Sequence, residues 1–163
     1  MRITLDSNVL VRAVVSPYGP ALALLDAVLK DHTLVLSRFI LDELERVLMY
    51  PRIQARYSIT PHEAAAFASR LGEAAYMVEP VILEPVIPFD PDDDPVLYTA
   101  ADGNAEILCT LNTKHFGTPE AAAFCGVRGI RILTDVELLR ELRKGRESVT
   151  NLEVPPNAGH LVN

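Results

Sequence analysis

Met1-Arg2-Ile3-Thr4-Leu5-Asp6-Ser7-Asn8-Val9-Leu10-Val11 opens the chain, and its reading decides the fold. The run to Leu5 has the length and β-forming composition of a short strand, and it stops at a carboxylate, Asp6. Asp6-Ser7-Asn8 is polar and turn-forming; Val9-Leu10-Val11 then resumes apolar character. Short strand-like runs recur at Thr33 to Leu36, Ala105 to Thr110 and Arg131 to Leu133, while Met77 to Val86, broken by Pro80 and Pro85, is at best a short strand. Helical patterns lie between them. From Ala21, Leu22, Leu24, Leu25, Val28 and Leu29 crowd one side. Ser37 is an N-cap candidate for a helix from Arg38 to about Tyr50, stopped by Pro51. Thr60-Pro61-His62-Glu63 combines a capping residue, an early proline and a capping-box glutamate, starting a helix that reaches about Tyr76. Asp94 as N-cap and Pro95 in the first turn start a helix to about Ala101, ended by Asp102-Gly103-Asn104. Leu111 to Phe116 reads as a loop, and Gly117 to Gly126 holds a short helix. Thr134 caps a final helix, Asp135 to Lys144. Strands alternating with helices predict an α/β fold, a three-layer α/β/α sandwich around a central parallel sheet.

The totals agree with one such domain. The chain has 163 residues, 49% hydrophobic and 23% charged, enough for one sizeable core and too apolar for general disorder. The expected division is a domain over residues 1–144 and a polar tail over residues 145–163, containing Pro155-Pro156, that is disordered or docks on a partner. No apolar run reaches membrane-spanning length and the N-terminus is unlike a signal peptide, so cytoplasmic residence and no membrane partner are expected. The two cysteines, Cys109 and Cys125, form no CxxC pair or Cys/His cluster. That argues against zinc and against a disulfide, and Cys109 within Ile107-Leu108-Cys109 reads as a buried thiol. A net charge of −7 disfavours a clamp built on many phosphate contacts. It leaves room for an acidic site in which a cation meets the phosphate, and for a basic partner.

The candidate chemical groups collect where strands end. Ligands of open parallel sheets bind beyond the carboxyl ends of strands, and Asp6 lies there, though an Asx turn or helix cap accounts for it equally well. Glu43 sits at the edge of the apolar stripe Ile40, Leu44, Val47 and Leu48, early in the helix after the second strand. Alone it reads as a solvated helix face, with Asp42 and Arg46 placed for an ordinary i,i+4 ion pair. Asp92, Asp93 and Asp94 precede a helix, where one carboxylate suffices for the dipole. Three together repel one another unless a cation offsets them, and hard oxygen donors favour Mg2+ or Mn2+. Thr110 and Asn112 follow the strand that starts at Ala105; Asn112 is either a turn residue or a contact to a water or phosphate oxygen. A parallel sheet can bring all these together, and a carboxylate cluster with a divalent cation suits phosphoester hydrolysis.

The ordered set resembles the PIN-domain nucleases. Leu5-Asp6-Ser7-Asn8-Val9-Leu10 looks like the family's opening motif, and Leu41-Asp42-Glu43-Leu44 like its second. Asp90-Pro91-Asp92-Asp93-Asp94-Pro95-Val96-Leu97 resembles the third, with Asp94 the best fit to the metal-binding position. Cys109-Thr110-Leu111-Asn112-Thr113-Lys114-His115-Phe116 resembles the fourth. The likeness spans about Met1 to Arg143. It implies a PIN-like, Rossmann-like sheet fold and Mg2+- or Mn2+-dependent endonucleolytic cleavage of RNA. Asp6, Glu43 and Asp94 would hold the metal, with Asn112 joining them in catalysis. Ser7, Asn8, Asp93, Thr110, Lys114 and His115 would support these groups or touch substrate. Many small members are toxins with a cognate antitoxin, and many form homodimers. One departure stands out: the fourth motif often has an aspartate where this chain has Asn112, and some members have one at His115. Asn112 brings no charge, which points to a one-metal site or a weakened enzyme. Arg12, Arg38, Arg46, Arg52, Arg56 and Lys114 are the phosphate-binding candidates, although helix arginines are usually solvated or ion-paired.

Two other classes compete. A phosphatase of the haloacid-dehalogenase type also has an aspartate after its first strand, but needs a second two residues on, where this chain has Asn8. A PIN-like module that acts only by binding protein or RNA would fit the loss of charge at Asn112.

Overall fold

The computed structural model describes residues 1–152. Its strands are β1 (Arg2–Leu5), β2 (Thr33–Ser37), β3 (Tyr76–Val78), β4 (Ile107–Cys109) and β5 (Arg131–Leu133). All pair in parallel, in the order β3-β2-β1-β4-β5. Ile3 of β1 aligns with Leu34 of β2 and with Ile107 of β4, so the central strands carry apolar side chains in register. Ile3, Leu5, Leu36, Ile107 and Leu108 have no exposed surface. Sheets covered on both faces require this, which is why these strands read as short, largely apolar runs.

The helices are α1 (Ser7–Val15), α2 (Pro20–Asp31), α3 (Arg38–Leu48), α4 (Pro51–Tyr57), α5 (Pro61–Ala74), α6 (Asp94–Asp102), α7 (Thr113–Phe116), α8 (Pro119–Gly126) and α9 (Asp135–Leu152). From β1 the connections step outward to β2 and β3, then cross back to β4 and β5. Right-handed crossovers therefore put the α1–α5 segment on one face of the sheet and α6 and α8 on the other. Contacts agree: α2 packs on α1 and α9, while α6 packs on β1, β2, β4 and α8. The result is the expected α/β/α arrangement, with its topological switch point between β1 and β4.

Several local expectations change. Asp6-Ser7-Asn8 is a helix start rather than a turn: the Asp6 carbonyl accepts from the amides of Val9 and Leu10, and Val9, Leu10, Val11 and Ala13 are buried. A second helix, α4, follows Pro51, because proline there opens a new helix as well as closing the old one. Leu111 to Phe116 contains α7, capped by the Asn112 side chain accepting from the His115 amide. Asp94 is the first residue of α6 rather than its cap; Asp93 holds the N-cap position, preceded by a 3-10 turn at Pro91–Asp93. The last helix passes Lys144 and Gly145 to reach Leu152, so the expected boundary falls inside α9. The remainder of the expected tail, 153–163, lies outside the described residues. The anticipated capping box at Thr60 and Glu63 is present in both directions, and both cysteines are free and buried.

One close approach fixes the rear of the sheet. A Cβ at Gly103 would lie 2.2 Å from Val35 Cγ1, so the end of α6 meets β2 with no room for a side chain. Among the described residues no single helix is long and apolar enough to cross a membrane.

Candidate functional site

Asp6 stands at the carboxyl end of β1, where its backbone amide donates to the Cys109 carbonyl at the end of β4. Ending both strands at the switch point opens the crevice there, and the side chain drops into it at 3% exposure. Its Oδ2 accepts from Thr110 Oγ1 at 2.7 Å and from Asn8 Nδ2 at 2.8 Å. Asn8 is itself fixed, because its Oδ1 accepts from the Leu111 amide. Asp6 therefore reads as a built position and not as an Asx turn. Burial pushes its carboxyl up to about 6; the Thr110 hydrogen bond opposes this, and the charges of Glu43 and Asp93 add to it.

Glu43 arrives on the second turn of α3, which starts at the end of β2 under the cap of Ser37. The Ser7 hydroxyl donates to Glu43 Oε2 at 2.6 Å and lies 3.4 Å from Asp6 Oδ1, so it bridges the two acids. Arg46 pairs with the other Glu43 oxygen at 3.2 Å and donates to Tyr50 Oη at 2.7 Å. The anticipated Asp42–Arg46 pair is replaced by Arg38–Asp42 at 2.9 Å, since Arg46 is taken by Glu43.

The third acidic stretch divides its labour against expectation. Asp94, the anticipated metal ligand, is 2% exposed, and its carboxylate accepts from the backbone amides of Val86 (3.1 and 3.2 Å) and Ile87 (2.9 Å). It ties down the segment that leads into the acidic loop. Asp93 faces them instead. Its Oδ2 accepts from Asn112 Nδ2 at 3.1 Å and lies 2.6 Å from His115 Nδ1. Burial raises its carboxyl, the His115 hydrogen bond opposes that, and Asp90 and Glu43 add repulsion. Asp90 Oδ2 lies 3.6 Å from the same imidazole nitrogen. Asp90, Asp93 and His115 each present one ligand atom within 4.8 Å of the others, a set that could hold a metal ion.

The structure thus brings Asp6, Ser7, Asn8, Glu43, Asp93, Thr110, Asn112 and His115 to one crevice, and Asp94 supports it from behind. Lys114 is exposed on α7. Arg12 is ion-paired to Asp135 at 3.3 Å, and Asp135 is 1% exposed. Arg52 and Arg56 are exposed on α4. Sequence reading passed over Asp90 and Asp135. Asp135 carries the signal that singled out Asp6, a carboxylate just past a strand, here β5. Asp90 had only its place in a run of acids.

The donor set suits a hard or borderline divalent cation: carboxylates in mutual repulsion, with hydroxyls and amides that orient them and with few lysines or arginines to neutralise them. Cys109 is no part of it, since burial pushes its thiol far above the usual range. No curated protein matches the sequence. A family model described as PIN domain matches residues 2–114, from β1 into α7, and the chain belongs to the PIN-domain family.

Proposed function

We propose that this chain is a divalent-cation-dependent endoribonuclease and the toxin half of a toxin–antitoxin pair, with Asp6, Glu43 and Asp93 holding Mg2+ or Mn2+. Family membership supports nuclease chemistry, because PIN domains are typically metal-dependent nucleases. The observation that carries the site is the Ser7 bridge between Asp6 and Glu43, with the charges of Glu43 and Asp93 both felt at Asp6. Carboxylates brought this close without an intervening cation are a stability cost that a bound ion removes.

When bound, the cation supplies positive charge to a phosphodiester oxygen and acidifies an attacking water. The protein's own groups do the positioning. Thr110 and Asn8 hold Asp6 Oδ2, Ser7 holds Glu43 Oε2, and Asn112 holds Asp93 Oδ2, so each acid has one oxygen fixed by a neutral donor. Fixed ligands reduce the reorganisation needed as charge develops. Arg46, paired with Glu43, and Lys114, exposed on the α7 that also carries His115, are proposed to meet the RNA backbone. RNA as substrate, the antitoxin and a homodimer rest on the resemblance of the four motifs.

One observation favours a second reading, a catalytically weakened module that binds RNA or protein: Asn112 contributes a neutral amide to Asp93 where many members carry an acid. A mixed RNA pool incubated with Mn2+ decides between them. Cleavage by the wild type, abolished by EDTA and by Asp6→Asn, together with growth arrest on expression that Asp6→Asn relieves, is the expected result. Folded wild type that binds RNA in EDTA and never cuts it establishes the second reading.

A further inference from the structure

We propose that the end of α3 and the whole of α4 form the surface that receives the sugar-phosphate backbone of an RNA strand beside the crevice, with Arg52 and Arg56 as its phosphate contacts. The inference rests on the reading of the ligand as RNA and adds a binding surface outside the acids.

The charge distribution points there first. The chain carries a net charge of −7, yet the stretch from Arg46 to His62 has no acid and holds Arg46, Arg52 and Arg56. Helix α4 supplies two of these arginines and buries none of its residues. So short a helix is marginal by itself. Here it is pinned at both ends: the Tyr50 carbonyl accepts from the Ile53 and Gln54 amides, and Ser58 closes it in the left-handed region. Gln54 Nε2 also donates to the Leu48 carbonyl at the end of α3, at 2.8 Å. The fold therefore holds in place a helix that contributes no residue to the core and presents guanidinium groups to solvent.

The state of those groups separates them from the other arginines. Arg12, Arg38, Arg131 and Arg146 each pair with a carboxylate, whereas the ion pairs among the described residues include neither Arg52 nor Arg56. On α9, Arg140, Arg143 and Lys144 alternate with Glu137, Glu141 and Glu147, which makes an ordinary solvated face. Continuity with the crevice then selects the partner. Arg46 touches Glu43 through one nitrogen, at 3.2 Å, and the Tyr50 hydroxyl through the other, at 2.7 Å, and Tyr50 is the N-cap of α4. One run of contacts thus joins a crevice acid to the basic helix. Tyrosine rings lie beside two of the guanidiniums, 5.8 Å from Arg46 and 5.7 Å from Arg56. Arginine offers forked donors to phosphate, and aromatic rings beside it suit nucleotides. A crevice lined by acids repels a phosphate backbone, so a positive surface next to it offsets that repulsion on approach.

The test is binding of a labelled single-stranded RNA oligonucleotide to the full chain in EDTA, where no cation assists, followed by anisotropy over a range of salt concentrations. Arg52→Ala combined with Arg56→Ala should bind about tenfold more weakly at low salt and lower the slope of log affinity against log salt by about 1.4, from about 0.7 per lost phosphate contact. Its thermal melt should be unchanged, since both side chains are exposed. Arg52→Lys with Arg56→Lys should keep the slope, and so should Arg140→Ala with Arg143→Ala on α9. Wild-type affinity and slope in the double alanine variant overturn the surface, and if Asp6→Asn still abolishes cleavage the proposed nuclease site stands. Binding of polyglutamate but not RNA, lost in the same variant, also overturns it and assigns α4 to an acidic protein. RNA binding that requires Arg52 and Arg56 in a chain that never cleaves supports the surface and removes the nuclease.

Discussion

At the β1–β4 rim, Asp6 is 3% exposed and takes hydrogen bonds from Thr110 and Asn8, two residues locked by the sheet and α1. A short distance away the loop after Pro88 carries Asp90 at 39% and Asp93 at 19% exposure, held by an Asx turn and by side chains of the small helix α7. Both regions deliver carboxylates to one crevice. The rim fixes its acid at a cost in burial, while the loop leaves its acids more exposed. Asp94 shows what separates the two kinds, because it sits next to Asp93 and behaves like neither: it is buried and spent on backbone amides.

The sharpest way to break this contrast is to exchange the roles of the neighbours. Asp94→Ala leaves the Val86 and Ile87 amides without their acceptor, and Ile87 is itself buried. Two charge-assisted hydrogen bonds are at stake, so the expected loss in denaturant unfolding is about 3–4 kcal/mol. Asp93→Ala should cost clearly less, about 1 kcal/mol, since the loss of its contacts to Asn112 and His115 is offset by relief of repulsion from Asp90 and Glu43. Equal losses in the two variants would erase the distinction.

Next in size is the rim acid and its pH dependence. The folded-state value for Asp6, about 6, lies above the ordinary 3.8, so the fold favours the protonated form. The associated stability is fully present below about pH 4 and is lost as pH rises through about 6. A shift of this size corresponds to roughly 2–3 kcal/mol in cation-free buffer. Asp6→Asn removes the charge, so the stability of the variant relative to wild type should rise by about that amount from pH 4 to pH 7. Urea melts in EDTA across this range check it, and parallel curves would contradict the burial of an ionising group at the rim.

A smaller effect sharpens the same region. Thr110→Val keeps the shape and removes the 2.7 Å hydrogen bond to Asp6, at an expected cost of about 1 kcal/mol. Because that bond holds the carboxyl down, the Asp6 titration followed by NMR should move upward. Smallest of all, Arg38→Ala removes an exposed i,i+4 pair with Asp42 and should change stability by no more than about 0.5 kcal/mol.

The same contrast describes what could be read from the residues alone. The sheet was legible because Ile3, Leu34, Ile107 and their neighbours are buried on both faces and leave short, largely apolar, β-forming runs. Asp6, Glu43 and Thr110 were legible for the same reason, since strand ends locate them. Helix α1 was hidden because its first turn, Ser7-Asn8, is polar and looks like a bend, and α7 because four residues carry no periodicity. Asp93 and Asp94 could not be told apart by composition. Successive residues on a helix point about 100° apart, so the choice depends on where α6 begins, and element ends are where sequence patterns say least. His115 was visible as a histidine near the fourth motif, but its tie to Asp90 is a tertiary contact between two short elements.

The most direct test of the central claim is calorimetric titration of Mn2+ into the folded wild-type chain, Asp93→Asn and Asp94→Asn, with thermal melts to confirm folding. Wild type is expected to bind, and Asp93→Asn to bind at least about tenfold more weakly with its melt unchanged. Asp94→Asn should melt earlier yet bind as wild type does while folded. No Mn2+ binding by wild type, or loss of binding in folded Asp94→Asn with Asp93→Asn unaffected, would contradict it.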